Sequence, residues 1–306
     1  MTTRDSKDSV RLERRTFLTA ALGSTAVLAA DVACGSPVGV APVTGRRRFE
    51  NKVVLVTGAT SGIGRAAAIA FAAEGGKVAF CGRRENLGQE VEQLIRQAGG
   101  EATYYKVDVR DADAVRTFVD TVVQHYGGLH VAFNNAGISM AKGLHDISLE
   151  EWNDLSDTNV RGVFAAMRAQ IPHMLSGGGG SIVVTSSVQA FATRKGSSAY
   201  TASKRALVGI IQAAALEYGT QGIRVNALCP GTVDTPLVRR QMGAENMPEE
   251  QFQEAAAAWA RVNVHGQQRL ATAAEVADAA LMLACDDHPY LTGSAFVIDG
   301  GMTLAL

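Results

Sequence analysis

Cysteine, histidine and proline are scarce in this chain, with four, six and seven residues among 306. Cys34, Cys81, Cys229 and Cys285 are too widely spaced for a metal-binding pair, and Cys81 and Cys229 lie in apolar runs that suit buried free thiols. No disulfide framework is implied. The histidines (His125, His130, His145, His173, His265 and His288) have no metal-ligand spacing, so no metal is expected. Neither sign of charge is in excess: the formal net charge is -1, which removes the basic footprint of a nucleic-acid partner. Repeats at solenoid period are absent as well. What the chain does have is 47% hydrophobic residues, enough for a substantial core, and 32 glycines, which suit many tight strand-to-helix turns.

Long apolar runs are also missing. The uncharged stretch 18–30, after Arg14-Arg15 and Phe17, holds thirteen residues. That is too short to span a bilayer and fits the core of a signal peptide. The arginine pair followed by Phe17-Leu18 resembles a bacterial twin-arginine signal, which would export the folded protein to the periplasm. Membrane contact is expected only through this segment. Cys34 hints at a lipidation site, but Asp31 stands where such sites carry an apolar residue. Residues 1–48 are therefore read as a signal-like segment and a flexible connector, and 49–306 as one catalytic domain.

From Lys52 onward, seven short β-branched runs alternate with helical patterns: KVVLVTG, KVAFCG, TYYKVD, LHVAFNNAG, SIVVTS, IRVNALCPG and GSAFVIDGG. The pattern predicts an α/β fold, a doubly wound parallel seven-stranded sheet of Rossmann-like form in a single domain, with ligands beyond the carboxyl ends of its strands. Long helices are expected over about 148–175 and 200–218, and a mobile lid over 237–268 whose Met242, Met247, Phe252 and Trp259 could face substrate or equally be packing.

The first strand runs into VTGATSGIG, with Gly58, Gly62 and Gly64 spaced G-x-x-x-G-x-G. Glycines there let the backbone approach a pyrophosphate at a helix amino terminus, with Thr60, Ser61 and Ile63 between them as further contacts. The absence of a Gly-Lys-Ser/Thr ending argues against a nucleoside triphosphatase. After the second strand, CGRR puts Gly82 where an acid would bind a ribose hydroxyl, with Arg83 and Arg84 beside it. A small residue followed by guanidinium groups accommodates a 2′-phosphate, so NADP is favoured over NAD. Asp108 suits an adenine edge and Val109 its ring face; Asn135, Ala136 and Gly137 in NNAG admit the nucleotide backbone.

These pieces, with SS…YTASK, PGTVDT and a terminal IDGG, together resemble the short-chain dehydrogenase/reductase family from Phe49 to the end. The resemblance implies a catalytic set of Asn159, Ser187 (with Ser186 as the neighbouring alternative), Tyr200 and Lys204. It also implies that Tyr200 and Lys204 touch the nucleotide, as do Pro230, Gly231, Val233 and Thr235 in the loop over the nicotinamide. Asn159 would hold a relay water. Family members are commonly tetramers or dimers joined through the two long helices. The chemistry fits the spacing: positions i and i+4 share a helix face, so the Lys204 ammonium, together with the positive charge of oxidised nicotinamide, is expected to lower the Tyr200 phenol from its ordinary pKa of about 10. Tyr200 would then exchange a proton with an alcohol or carbonyl as hydride moves. Gln189 and Phe191 are expected to line the pocket. Two other readings stand beside this one: an NAD-preferring sugar or cyclic-alcohol dehydrogenase, and a non-catalytic dinucleotide sensor.

Overall fold

A computed structural model describes residues 47–304. The signal-like segment, its arginine pair and Cys34 lie outside the described residues. Strand β1 (Val53–Thr57) leads to α1 (Gly62–Ala73), followed by β2 (Lys77–Gly82), α2 (Glu85–Gln97), β3 (Glu101–Lys106), α3 (Ala112–Tyr126) and β4 (Val131–Asn134). The second half runs through α4 (Leu149–Ser156), α5 (Gly162–Ser176), β5 (Gly180–Thr185), α6 (Ser198–Tyr218) and β6 (Ile223–Pro230). Helices α7 (Pro236–Met242), α8 (Glu249–Asn263) and α9 (Ala273–Ala284) precede β7 (Ala295–Ile298). All seven strands pair in parallel, in the order β3-β2-β1-β4-β5-β6-β7. The direction of winding reverses between β1 and β4, and the crevice at that reversal is where such sheets take ligands.

Burial on both faces explains why the strands read as unbroken apolar runs. In β1 every residue is buried. Val53 and Leu55 join a core with α3, α5 and α6, whereas Val54 and Val56 join one with α1, α2 and α9. Phe49 packs edge-on against Phe71 with ring centroids 4.8 Å apart, which ties the start of the described chain to α1. Cys81, Cys229 and Cys285 are free and buried, and burial pushes the Cys81 thiol up to about 12.

Local chemistry sets the element ends. The Asp111 carboxylate accepts the amides of Asp113 and Ala114 to cap α3, and Gly127 closes it in the left-handed region. The helix expected over 148–175 is interrupted: a π turn over Asp157–Arg161 joins α4 to α5. Helix α6 starts at Ser198 rather than Tyr200. The expected lid consists of α7 and α8, but Phe252 is fully buried with Ala244, Ala255 and Ala256, and Met242, Met247 and Trp259 pack against it. Much of its apolar content is therefore packing. Among the described residues no helix is long and apolar enough to cross a membrane.

Candidate active site

A cleft of about 840 Å³ opens at the carboxyl ends of the strands. Its wall includes every nucleotide and catalytic residue expected from sequence except Gly64 and Asn159.

At one end lies the turn after β1. Gly58 has φ +69°, and a Cβ there would come 2.7 Å from the Ala136 Cα. Gly62 has φ +56°, so both positions require glycine. Gly64 is one layer deeper, where a Cβ would strike the Gly58 carbonyl oxygen at 2.5 Å; it closes the helix against the strand and does not face the cleft. The amino end of α1 has no side-chain cap from Ser61 and no acid in its first turn. Its first amides are thus unclaimed by the protein and suited to an anion.

Arg84 donates to the Thr60 hydroxyl at 2.8 Å and to the Ser61 hydroxyl at 2.6 Å. Burial holds its guanidinium below its ordinary pKa, and the charges of Arg240 and Arg83 push in the same direction. Gly82 is small for a reason invisible in sequence: a Cβ there would meet Thr60 Cγ2 at 2.6 Å. Asp108 lines the cleft, but Arg110 grips both of its carboxylate oxygens and reaches on to Asp154. That hydrogen bonding is the main cause of its carboxyl lying below the usual range. Val109 packs beside it on the same wall. Asn135 braces strand ends, donating its amide group to the carbonyls of Thr57 and Gly58 and accepting from the Thr185 hydroxyl.

At the other end stand Ser187, Tyr200 and Lys204. The Lys204 ammonium is buried and donates to the Thr185 carbonyl at 2.8 Å; its Nζ lies 5.5 Å from the centroid of the Tyr200 ring. A Cβ on Gly137 would stand 3.6 Å from the same Nζ, so glycine keeps the floor open. Burial lowers the lysine to about 8. The two side chains do meet, as the i, i+4 spacing requires, and in the nucleotide-free chain burial is the largest influence on the phenol. Burial raises the Tyr200 hydroxyl above its ordinary value; the Ser187 hydroxyl and the charge of Arg194 oppose that rise, and Lys204 is not among the causes.

The two serines have different partners. Ser186 donates to the Lys204 carbonyl at 2.9 Å, which commits it to the helix, whereas Ser187 acts on Tyr200. Asn159 lies off the cleft wall. It is fully buried in the π turn, accepts the Ile138 amide at 2.8 Å, and donates to the Ile138 carbonyl at 2.9 Å and to Ser203 at 3.1 Å. Its polar atoms are committed within the protein, so it shapes the wall through Ile138 rather than facing the cleft. Gln189 lines the pocket and accepts from Thr201, but Phe191 is 53% exposed and off the cleft wall, because the short 3-10 turn over Val188–Ala190 carries it outward.

Pro230, Gly231, Val233 and Thr235, after β6, lie on the cleft wall. The Thr235 hydroxyl caps α7 by accepting the Val238 amide. Sequence reasoning missed Arg194, Arg240 and Thr185. The first two stood in stretches read as loop and lid. The role of Thr185 is played by a backbone carbonyl, which no residue type reveals. Among the described residues no group of three His, Cys, Asp or Glu side chains could hold a metal ion.

Comparison with known proteins agrees with this geometry. The family model described as enoyl-(acyl carrier protein) reductase matches residues 58–303. The chain is 36% identical over 257 residues to a cyclohexanol dehydrogenase of Acinetobacter sp. (strain SE19), covering 84% of this chain and 96% of that protein. It is 38% identical over 266 residues to a glucose 1-dehydrogenase of Gluconobacter oxydans (strain 621H), covering 86% and 96%. The crystal structure of a short-chain type dehydrogenase/reductase from Mycobacterium marinum superposes with a TM-score of 0.77 at 34% identity, covering 84% of this chain and 97% of that one.

Proposed function

The chain belongs to the short-chain dehydrogenase/reductase family, and from that premise we propose that it transfers hydride between NADP(H) and an alcohol or its ketone, with Tyr200 moving the proton. The observation that carries this reading is a single cleft with an uncapped helix terminus and two arginines at one end and Ser187, Tyr200 and Lys204 at the other. The bound nicotinamide supplies or accepts the hydride. Its phosphates suit the α1 amides, and Arg83 and Arg84 suit the 2′-phosphate. Lys204, already fixed on the Thr185 carbonyl, would hold the nicotinamide ribose.

At the reacting end, the Tyr200 hydroxyl gives its proton to the carbonyl oxygen in reduction and recovers it in oxidation. Ser187 donates to the same oxygen as its charge develops. Asn159 positions the wall from behind by fixing both polar groups of Ile138. Leu237, Val238, Met242, Trp259 and Val262 line the cleft together with Gln189, Thr193, Gln241 and Asn263, a mixed wall compatible with cyclic, linear and sugar-like alcohols.

The test is a spectrophotometric screen of alcohols and ketones, cyclic, linear and sugar-like, with NADP(H) and NAD(H) in parallel. Turnover within at least one of these classes, with higher kcat/KM for NADP(H), is expected. Tight NADP(H) binding without turnover of any carbonyl or alcohol would favour the sensor reading instead.

A further inference from the structure

Arg240 lines the same cleft as Arg83 and Arg84, the two arginines expected at its nucleotide end. Arg83 and Arg84 follow β2, whereas Arg240 comes from α7, after β6, which lies across the winding reversal from β2. Helix α7 is anchored over the glycine turn: a Cβ at Gly62 would lie 3.2 Å from Thr235 Cγ2, and Thr235 caps the helix that carries Arg240. Arg84 is held in place by the hydroxyls of Thr60 and Ser61. The Arg240 charge acts on it, as does that of Arg83.

The acidic groups near these cations are already engaged. Asp108 is the acid on the wall, and both its oxygens are taken by Arg110. Arg240 pairs with Glu245 at 2.9 Å, but at the rim, where the two side chains are 64% and 51% exposed. An exposed pair of that kind is worth little and is easily exchanged for a better anion. Like charges gathered from separate elements, one of them pinned, make a site for a doubly charged oxyanion.

We propose that Arg240 joins Arg83 and Arg84 on the 2′-phosphate of NADP(H), so that α7 closes over a nucleotide bearing that phosphate and stays looser over one that lacks it. This rests on the NADP reading above and adds the element that would couple cofactor choice to the lid. The Arg240 side chain leaves Glu245 and crosses to the phosphate, and the three guanidinium groups then share one dianion.

Calorimetric titration of wild type, Arg240→Gln and Arg240→Lys with 2′,5′-ADP, 5′-AMP and ADP-ribose separates the possibilities. Wild type should bind 2′,5′-ADP more tightly than 5′-AMP; equal affinity would overturn both the NADP reading and this inference. Given that preference, Arg240→Gln should weaken 2′,5′-ADP by about tenfold and leave 5′-AMP and ADP-ribose within about twofold. Arg240→Lys should fall between. An unchanged 2′,5′-ADP affinity, or an equal loss for all three ligands, would overturn the role of Arg240 while leaving the NADP reading in place.

Discussion

Replacing Tyr200 by Phe should lower kcat by about a thousandfold, the scale of a positioned general acid, while changing the NADP+ dissociation constant by less than about twofold. The substitution keeps the ring that packs beside Lys204 and removes the one hydroxyl that Ser187 touches. Loss of kcat with retained binding is the signature of a group that acts in the transition state. Steady-state kinetics on whichever substrate the screen identifies, with calorimetry for the nucleotide, gives both numbers. A variant that keeps more than about a tenth of wild-type kcat would assign the proton to another group.

The second large effect concerns Lys204, where activity and stability should move in opposite directions. Its ammonium is buried, and its pKa is lowered to about 8, against about 10.4 in an unfolded chain. Between those values the unfolded state binds more protons than the folded one, so stability rises with pH across that window. Below about pH 8 the fold carries the full penalty of the buried charge, about 3 kcal/mol. Lys204→Met removes the penalty but leaves the Thr185 carbonyl without its donor, a loss of about 1 kcal/mol.

The variant should therefore be about 2 kcal/mol more stable than wild type at pH 7, with the gap closing as pH rises through about 8 to about 10. Its kcat/KM should fall at least about a hundredfold, because the cation beside the phenol and the expected ribose contact are both gone. Urea denaturation across the pH range reads the first effect, and kinetics the second. A variant less stable than wild type at pH 7, or a gap that ignores pH, would show that the lysine is not held as a strained cation.

Much of the fold was legible because the physics behind it is local. Continuous apolar runs mark strands buried on both faces, as in β1, and Gly58 marks a turn that only glycine can make. The lid was harder to read: an apolar residue such as Phe252 looks alike whether it faces a substrate or its own helix neighbours. The π turn at Asn159 does not alter residue periodicity enough to be seen. The side chain's partners there are the two backbone groups of Ile138, which sequence does not identify.

The spacing of Tyr200 and Lys204 was legible, but the contribution of burial to both groups was not, because depth of burial is a tertiary property. Arg240 was unreadable for a related reason: nothing in the lid sequence announces that α7 lands on the glycine turn. In each case the residue type carried the chemistry, and packing decided how that chemistry was used.

A phenol raised by burial must be brought back toward neutrality before it can trade protons efficiently; the Ser187 hydroxyl and the Arg194 charge already pull in that direction, and the positive charge of oxidised nicotinamide would add to them. The most direct measurement is the ultraviolet phenolate absorbance of wild type minus Tyr200→Phe, followed against pH with and without saturating NADP+. The Tyr200 pKa should lie above the ordinary phenol value in the free protein and fall by at least about one unit on nucleotide binding. A pKa that stays where it is when NADP+ binds would contradict Tyr200 as the proton carrier.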